Sequence, residues 1–318
     1  MAKRAGIGRR DDIRPASPGN PTDPSPRGKI MTDRISVVVP CRNAAQWLGE
    51  ALASAIDQHR PADEIILVDD GSTDASVAVA RSFGDRVRVV QSEAGNAAAA
   101  RNIGVKLATG RWIAFLDADD RWYPHHLEQS VKLLSAGNDV GVQTWYDYFS
   151  NATPGVVEQR SCHIDIDAPT HGLAAETYFR HYVETQWINM HACVVDRQRL
   201  VDVGMFDETQ TRRHDIEMWM RLTEGRTWAF HPVASSAYRY DTPGSITRAT
   251  VDAAYFLVVA VDKNFDRLPR ELASTLRGVA LDKAVWAAAK NGDDGQRERI
   301  AAMRRLPRAG TPTPVKAA

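Results

Sequence analysis

Between residues 35 and 136, short apolar runs alternate with longer stretches whose apolar positions recur at helical spacing. Ile35-Ser-Val-Val-Val39 is the first run, and Pro40 closes it. Ala45, Leu48, Leu52, Ala55 and Ile56 then share one face at a 3.6-residue period, which predicts a helix broken by Pro61. Glu64 to Val68 is the second predicted strand, and Asp74 is placed to cap a helix running to about Phe83. Arg86 to Val90 is the third strand. Asn96 to Ala108 is alanine-rich and reads as a helix, with Gly110 as its C′ residue. Trp112 to Leu116 is the fourth strand. Pro124 to Leu134 is the next helix, with proline in its first turn. Such alternation predicts an α/β fold, a parallel sheet with helices on both faces. Uninterrupted apolar runs suit strands buried on both sides.

After residue 135 the alternation stops. Val140 to Phe149 reads as a strand carrying Trp145, Tyr146 and Tyr148, and 150–170 as a loop or hairpin. Ala192 to Val195 is a short strand, and Asp196 to Val203 a short helix closed by Gly204. Ile216 to Leu222 is helical, and Thr227 to Phe230 and Ala237 to Tyr240 read as two further strands. From Val251 three helices follow, at 251–266, 270–290 and 296–305. Their apolar faces, Leu257, Val258, Val261 and Phe265 and then Leu276, Val279, Leu281 and Val285, either pack on the domain or join two copies in a homodimer. Residues 1–33 are rich in proline and glycine and read as a disordered leader, with Met31 as an alternative start. The predicted organisation is a domain over 34–248, in halves 34–136 and 137–248, then a helical extension over 249–306 and a flexible tail over 307–318.

The 318 residues are 43% hydrophobic and 25% charged with zero net charge, an ordinary globular composition with no overall pull toward nucleic acid. Charge is uneven locally: residues 1–34 hold eight Lys or Arg against four Asp. Three scattered cysteines, Cys41, Cys162 and Cys193, fit neither a zinc site nor a disulfide framework, and suit a cytoplasmic setting. No apolar run approaches the ~20 residues of a membrane helix. Arg297, Arg299, Arg304 and Arg305 are either a solvated basic face or a peripheral contact with the inner membrane face.

The strand ends Pro40-Cys41-Arg42-Asn43, Asp69-Asp70 and Asp117 to Asp120 fall along one rim of the predicted sheet, where open α/β sheets bind ligands. None of these turns carries a glycine cradle for phosphate. A cation held by carboxylates is the other usual way to bind a diphosphate. Alone, Asp117-Ala-Asp-Asp120 fits a solvated acidic turn as well as a metal site.

Several segments together resemble the family 2 glycosyltransferases, which have the nucleotide-diphospho-sugar transferase (GT-A) fold. They are Ser36-Val-Val-Val-Pro40 with Asn43, Ile66-Leu-Val-Asp-Asp-Gly-Ser-Thr-Asp74, Ala100-Arg101-Asn102 with Gly104, and Gly110 to Asp120. Gly204-Met-Phe-Asp-Glu208, His214 to Leu222, and Tyr238-Arg239 with Gly244-Ser245 continue the likeness, which covers about 35–247. The resemblance implies a Rossmann-like, mixed but mostly parallel sheet. It also implies an inverting transferase of polysaccharide biosynthesis, moving a sugar from a UDP-, GDP- or dTDP-sugar to a hydroxyl of a glycan, lipid-linked glycan or small molecule. It assigns Asp119 to Mn²⁺ or Mg²⁺, Asp117 to the ribose or the metal's surroundings, and Asp70 to the nucleobase or ribose. Pro40, Arg42, Asn43 and Arg101 join the nucleotide-sugar site; Arg101 fits a structural ion pair equally. Asp215 matches the catalytic base, although it could also simply cap the helix that starts at Ile216. Asp120 is either a helper of the metal site or a turn residue.

The chain departs from the family where Arg42 replaces an aromatic residue, His214 replaces an acidic one, and Tyr240 replaces a histidine. His214 is then a contact to acceptor or diphosphate, or an exposed helix-start residue. Trp145, Tyr146, Trp187, His191 and Trp219 are candidates for an acceptor wall, with core packing the alternative for each. Two other classes remain in view: a sugar-phosphate nucleotidyltransferase, whose glycine-rich loop is missing after the first strand, and a non-catalytic binding protein of the same fold.

Overall fold

A computed structural model of the protein describes residues 34–150, 157–158, 170–174, 177, 179, 189–242, 250–291 and 294–305. The leader, the tail, Cys162, Trp187 and Gly244-Ser245 lie outside the described residues. Strands β1 (Ile35–Cys41), β2 (Glu64–Asp70), β3 (Arg88–Ser92) and β4 (Trp112–Phe115) alternate with helices α1 (Ala45–Ile56), α2 (Ser76–Arg81) and α3 (Ala97–Leu107). Next come β5 (Arg121–Trp122), α4 (His126–Ala136), β6 (Gly141–Phe149), β7 (Val157–Glu158) and β8 (Thr170–Ala174). Then follow β9 (Cys193–Asp196), α5 (Arg197–Asp202), α6 (His214–Leu222) and β10 (Thr227–Arg239). Helices α7 (Thr250–Lys263), α8 (Arg270–Asn291) and α9 (Asp294–Arg305) complete the described chain.

The sheet order is β3-β2-β1-β4-β9-β6-β10-β5, with β7 on β6 and β8 on β10. Strands β3, β2, β1, β4, β6 and β10 run one way, and β9 and β5 run against them. The apolar runs divide by alternate residues into two cores. Val37, Val39, Leu67 and Ala114 face a layer holding Leu48 and Leu52 of α1 and Leu127 and Leu134 of α4. Val38, Ile66, Val68, Ile113 and Phe115 face the other layer, with Val105 of α3, Trp219 of α6 and Leu257 and Leu276 of the last helices. Runs that bury both faces need no polar alternation, which is why these strands read as continuous apolar segments.

Local details refine the predicted elements. Asp74 serves two helices: its carboxylate accepts the Ser76 N–H at 2.9 Å and the Ala45 N–H at 3.0 Å, the first residues of α2 and α1. The third strand starts two residues later than predicted, because Gly84–Arg86 forms a 3-10 turn. α4 starts at His126 rather than Pro124. Gly110 is not a left-handed C′ residue. Ala108 closes α3, and a Cβ on Gly110 would lie 2.7 Å from the Ser36 nitrogen, so the residue is small because the chain passes against β1. The two short strands predicted around residues 227–240 are one 13-residue strand, β10. Register shifts beside Pro232 explain the mistaken break: they fall between His231 and Ala234 and between Ala234 and Ser236, where proline cannot donate to the ladder.

The C-terminal helices join the main core rather than stand apart. Leu257, Val258, Leu272, Leu276, Ala280, Leu281 and Ala284 are buried in the same cluster as Trp219 and Trp228. Of the apolar residues named on α8, Leu276 and Leu281 are buried, whereas Val285 is exposed beside Trp286. Among the described residues no helix is long and apolar enough to cross a membrane.

Candidate active site

The rim at the carboxyl ends of β1, β2 and β4 is tied together before any ligand is considered. Asn43 sits in a left-handed backbone conformation, with φ of 51°. Its N–H donates to Ser72 Oγ at 2.9 Å, and its Oδ1 accepts the Thr73 N–H at 2.8 Å, so it straps the end of β1 to the loop after β2. Pro40 pairs with Val68 inside the ladder. Asp70 is buried; its Oδ1 accepts the Gly95 N–H at 2.7 Å, and its Oδ2 lies 3.7 Å from Arg42 Nη1. The Arg42 side chain is 61% exposed, so its guanidinium can swing onto a flat ligand face without leaving the rim.

Helix α3 carries the link between the two halves of the site. Asn96 caps it, its Oδ1 accepting the Ala99 N–H at 3.0 Å. Asn102 then clasps the 206–208 segment: Oδ1 accepts the Phe206 N–H at 2.9 Å, and Nδ2 donates to the Phe206 carbonyl and to Glu208 Oε1, each at 2.9 Å. Arg101, one residue earlier, is buried and reaches the other way. It donates to Asp117 Oδ1 and lies with Nη1 2.7 Å from His214 Nε2. Arginine is always a donor, so His214 Nε2 is the acceptor and the histidine proton sits on Nδ1. Burial, and then the Arg101 charge, push the His214 pKa down to about 4, so the ring is neutral at pH 7. His214 is therefore not the exposed helix-start residue that its position suggested. It begins α6, with Arg213 before it at a left-handed φ of 54°. Asp215 follows, its Oδ1 accepting the Ile216 N–H at 2.9 Å. The helix already begins at His214 with Arg213 as its N-cap, so Asp215 is a first-turn residue rather than the cap of a helix starting at Ile216, and this bond leaves its second oxygen for another group.

The three carboxylates after β4 have three different surroundings. Asp117 is partnered by Arg101. Asp120 is fully buried: Oδ1 accepts the Arg239 N–H at 2.9 Å, and Oδ2 lies 2.9 Å from His191 Nδ1. Asp119 carries no such cationic partner on its carboxylate among these contacts. Burial, then Asp120 and Asp117, push its pKa up to about 7. A divalent cation fits this carboxylate, because it would offset the like charges that raise it. Among the described residues no three His, Cys, Asp or Glu side chains form a ligand group. A cation here would rest on Asp119 and on substrate oxygens, the usual arrangement for Mg²⁺ at a diphosphate.

The candidates for an acceptor wall divide. Trp219 is fully buried in the core and Tyr146 nearly so, while Trp145 is half-buried and packs edge-on against Phe230. His191 is fully buried as the partner of Asp120 and stacks on Tyr238 at 5.8 Å, so it belongs to the floor of the rim rather than to an outward wall. Arg239 and Glu50 had no role from sequence. Arg239 donates from Nε to the Asp119 carbonyl at 2.8 Å and from Nη2 to Glu50 Oε2 at 2.5 Å. Tyr238-Arg239 stood among the recognisable segments, and that was the only signal for Arg239; nothing in the pattern of α1 singles out Glu50.

The fold is that of the GT-A glycosyltransferases. Residues 1–349 of S. aureus TarS, in complex with UDP-GlcNAc, superpose with a TM-score of 0.65 at 17% identity, over 81% of this chain and 74% of that one. The mannosyltransferase PcManGT from Pyrobaculum calidifontis, in complex with GDP-Man and Mn²⁺, gives 0.58 at 19% identity, over 85% and 79%. Residues 36–195 match the glycosyl transferase family 2 domain, and the chain belongs to that family. An uncharacterized glycosyltransferase of Rickettsia prowazekii is 27% identical over 61% of this chain, a match spanning 59% of that protein's length. The putative teichuronic acid biosynthesis glycosyltransferase TuaG of Bacillus subtilis is 36% identical over 59% of this chain and 71% of its own.

Proposed function

We propose that the protein is a metal-dependent inverting glycosyltransferase. It moves a sugar from a nucleotide-diphospho-sugar to a hydroxyl of a glycan or lipid-linked glycan. The observation that carries this reading is the buried Arg101, which joins Asp117 to His214 and so brings the start of α6 to the carboxylate turn after β4. A donor-side carboxylate cluster and an acceptor-side carboxylate, Asp215, then serve one site. The UDP-GlcNAc and GDP-Man held by the two solved structures support a nucleotide-sugar donor, and the Mn²⁺ of the mannosyltransferase supports a divalent cation. Teichuronic acid biosynthesis, named for the B. subtilis relative, supports a glycan acceptor.

In this reading Asp119 would hold Mn²⁺ or Mg²⁺, and the cation, when bound, supplies charge neutralisation for the departing diphosphate. Asp117 is held in place by Arg101 and faces the ribose end of the donor. Asp70 and the movable Arg42 line the nucleobase end. Asp215 takes the proton of the acceptor hydroxyl as its oxygen attacks the anomeric carbon from the side opposite the leaving group. The Ile216 N–H orients one carboxylate oxygen, and the other receives the proton. Neutral His214 beside it adds no competing positive charge.

Binding of UDP-, GDP- and dTDP-sugars, measured by thermal shift with and without Mn²⁺, tests the donor side. Asp119→Asn is expected to abolish the cation-dependent shift. Asp215→Asn is expected to keep it and to lower transfer by about 10²–10⁴-fold. Full transfer by Asp215→Asn would remove the base assignment, and a wild-type protein that no donor stabilises would point to the non-catalytic reading.

A further inference from the structure

Beneath the carboxylate turn lies a charged cluster that the proposed chemistry does not use. Arg239, at the end of β10, is only 2% exposed. Its backbone N–H donates to Asp120 Oδ1 at 2.9 Å, and its Nε donates to the Asp119 carbonyl at 2.8 Å. Nη2 reaches Glu50 Oε2 of α1 at 2.5 Å. The other oxygen of Glu50 accepts from Arg121 Nη1 at 2.8 Å, the residue directly after Asp120. Both guanidinium carbons lie 4.3 Å from the centroid of the Phe149 ring. Asp120 is fixed from its other side by His191.

Burying a guanidinium is costly unless its hydrogen bonds are met, and Glu50 alone would meet the charge. The additional bonds of Arg239 go to Asp119 and Asp120 themselves. Neither bond engages the Asp119 carboxylate: the guanidinium Nε grips the Asp119 carbonyl, and the Arg239 backbone N–H holds the Asp120 carboxylate beside it. Groups that orient a metal-binding side chain in this way commonly set metal affinity as strongly as the ligand's own chemistry does.

We infer that Arg239, with Glu50 as its counter-ion, is a positioning residue that sets Asp119 for the cation and the donor diphosphate. This rests on the assignment of Asp119 as the cation-binding carboxylate. In this reading the Arg239 side chain acts on the cation only through the Asp119 carbonyl, while its backbone N–H holds the Asp120 carboxylate. Glu50→Gln weakens the grip at a half-exposed position and leaves the core untouched. Arg239→Lys keeps the positive charge and loses both the planar fork and the Nε bond.

The test is Mn²⁺ binding to the full chain in the presence of UDP, GDP or dTDP, followed by the loss of free Mn²⁺ signal in electron paramagnetic resonance. Each variant's melting temperature is recorded alongside. For Arg239→Lys the Mn²⁺ dissociation constant is expected to rise about tenfold or more, within the range of partners that orient a ligand. For Glu50→Gln a rise of about threefold is expected, as for a partly exposed ion pair. A lowered melting temperature with an unchanged Mn²⁺ constant in the folded protein would show a merely structural role and overturn the inference. If Arg239→Lys does not fold, Glu50→Gln decides alone, and a wild-type constant there overturns the inference. If the wild type binds Mn²⁺ with none of the three nucleotides, the assignment of Asp119 fails first, and this inference with it.

Discussion

His126 is fully buried, stacked on Trp122 at 4.5 Å, with its Nδ1 2.7 Å from Ser235 Oγ. Burial, and then His191 and His125, push its pKa down to about 3, and His214 is pushed to about 4. Both are neutral in the folded protein at pH 7. In the unfolded chain they take a proton below about pH 6.5. Each therefore adds stability that is complete above pH 6.5 and is lost as pH falls from there toward its folded value, at about 1.4 kcal/mol per pH unit. The urea midpoint is expected to fall between pH 6.5 and pH 4, and His126→Gln is expected to flatten that slope. An unchanged slope in the variant would remove His126 from the account. At this scale the sequence was informative about residue types and poor about surroundings. Asp117, Asp119 and Asp120 were recognisable as a group. Their division into an arginine-paired, an uncompensated and a buried carboxylate depends on Arg101, Arg239 and His191, which lie 16 to 120 residues away in the chain.

Among the elements, α3 and β1 approach most closely where Gly104 faces Val38. A Cβ on Gly104 would fall 2.4 Å from Val38 Cγ1. Val38 is fully buried and β-branched, so its methyl groups have little room to turn away. Gly104→Ala is expected to cost about 1–3 kcal/mol of stability despite alanine's better helix propensity. Chemical denaturation of the single variants and of Gly104→Ala with Val38→Ala checks this. The double variant should lose less than the sum of its parts, and strict additivity would refute the clash. Helix α3 itself was legible because its alanine-rich composition is a local signal, and so were β1 to β4, whose faces are both covered. β10 was not. Its continuity past Pro232 comes from pairing with β6, which no nearby residue announces. On α8 the packed face includes Ala273, Ala280 and Ala284 beside its leucines, residues too small to stand out in an apolar pattern.

The whole molecule behaves as more than a sheet with an appended tail. Leu276 of α8 is buried with Trp219 and Trp228, so the last helices cover the same core as the sheet. Leu276→Ala is expected to lose about 2–5 kcal/mol, with circular dichroism and tryptophan fluorescence reporting one shared transition. Two separate transitions would show that the helices unfold by themselves. The order of strands also has a consequence for assembly in time. β1 to β4 pair through short crossovers, whereas the carboxylate turn receives its floor from β10, more than a hundred residues later. Pairings that close long loops form slowly. In refolding experiments most secondary structure should return before the capacity to bind Mn²⁺ with nucleotide. The protein emerging from a ribosome would then carry a complete carboxylate motif for some time before the proposed cation site has its floor.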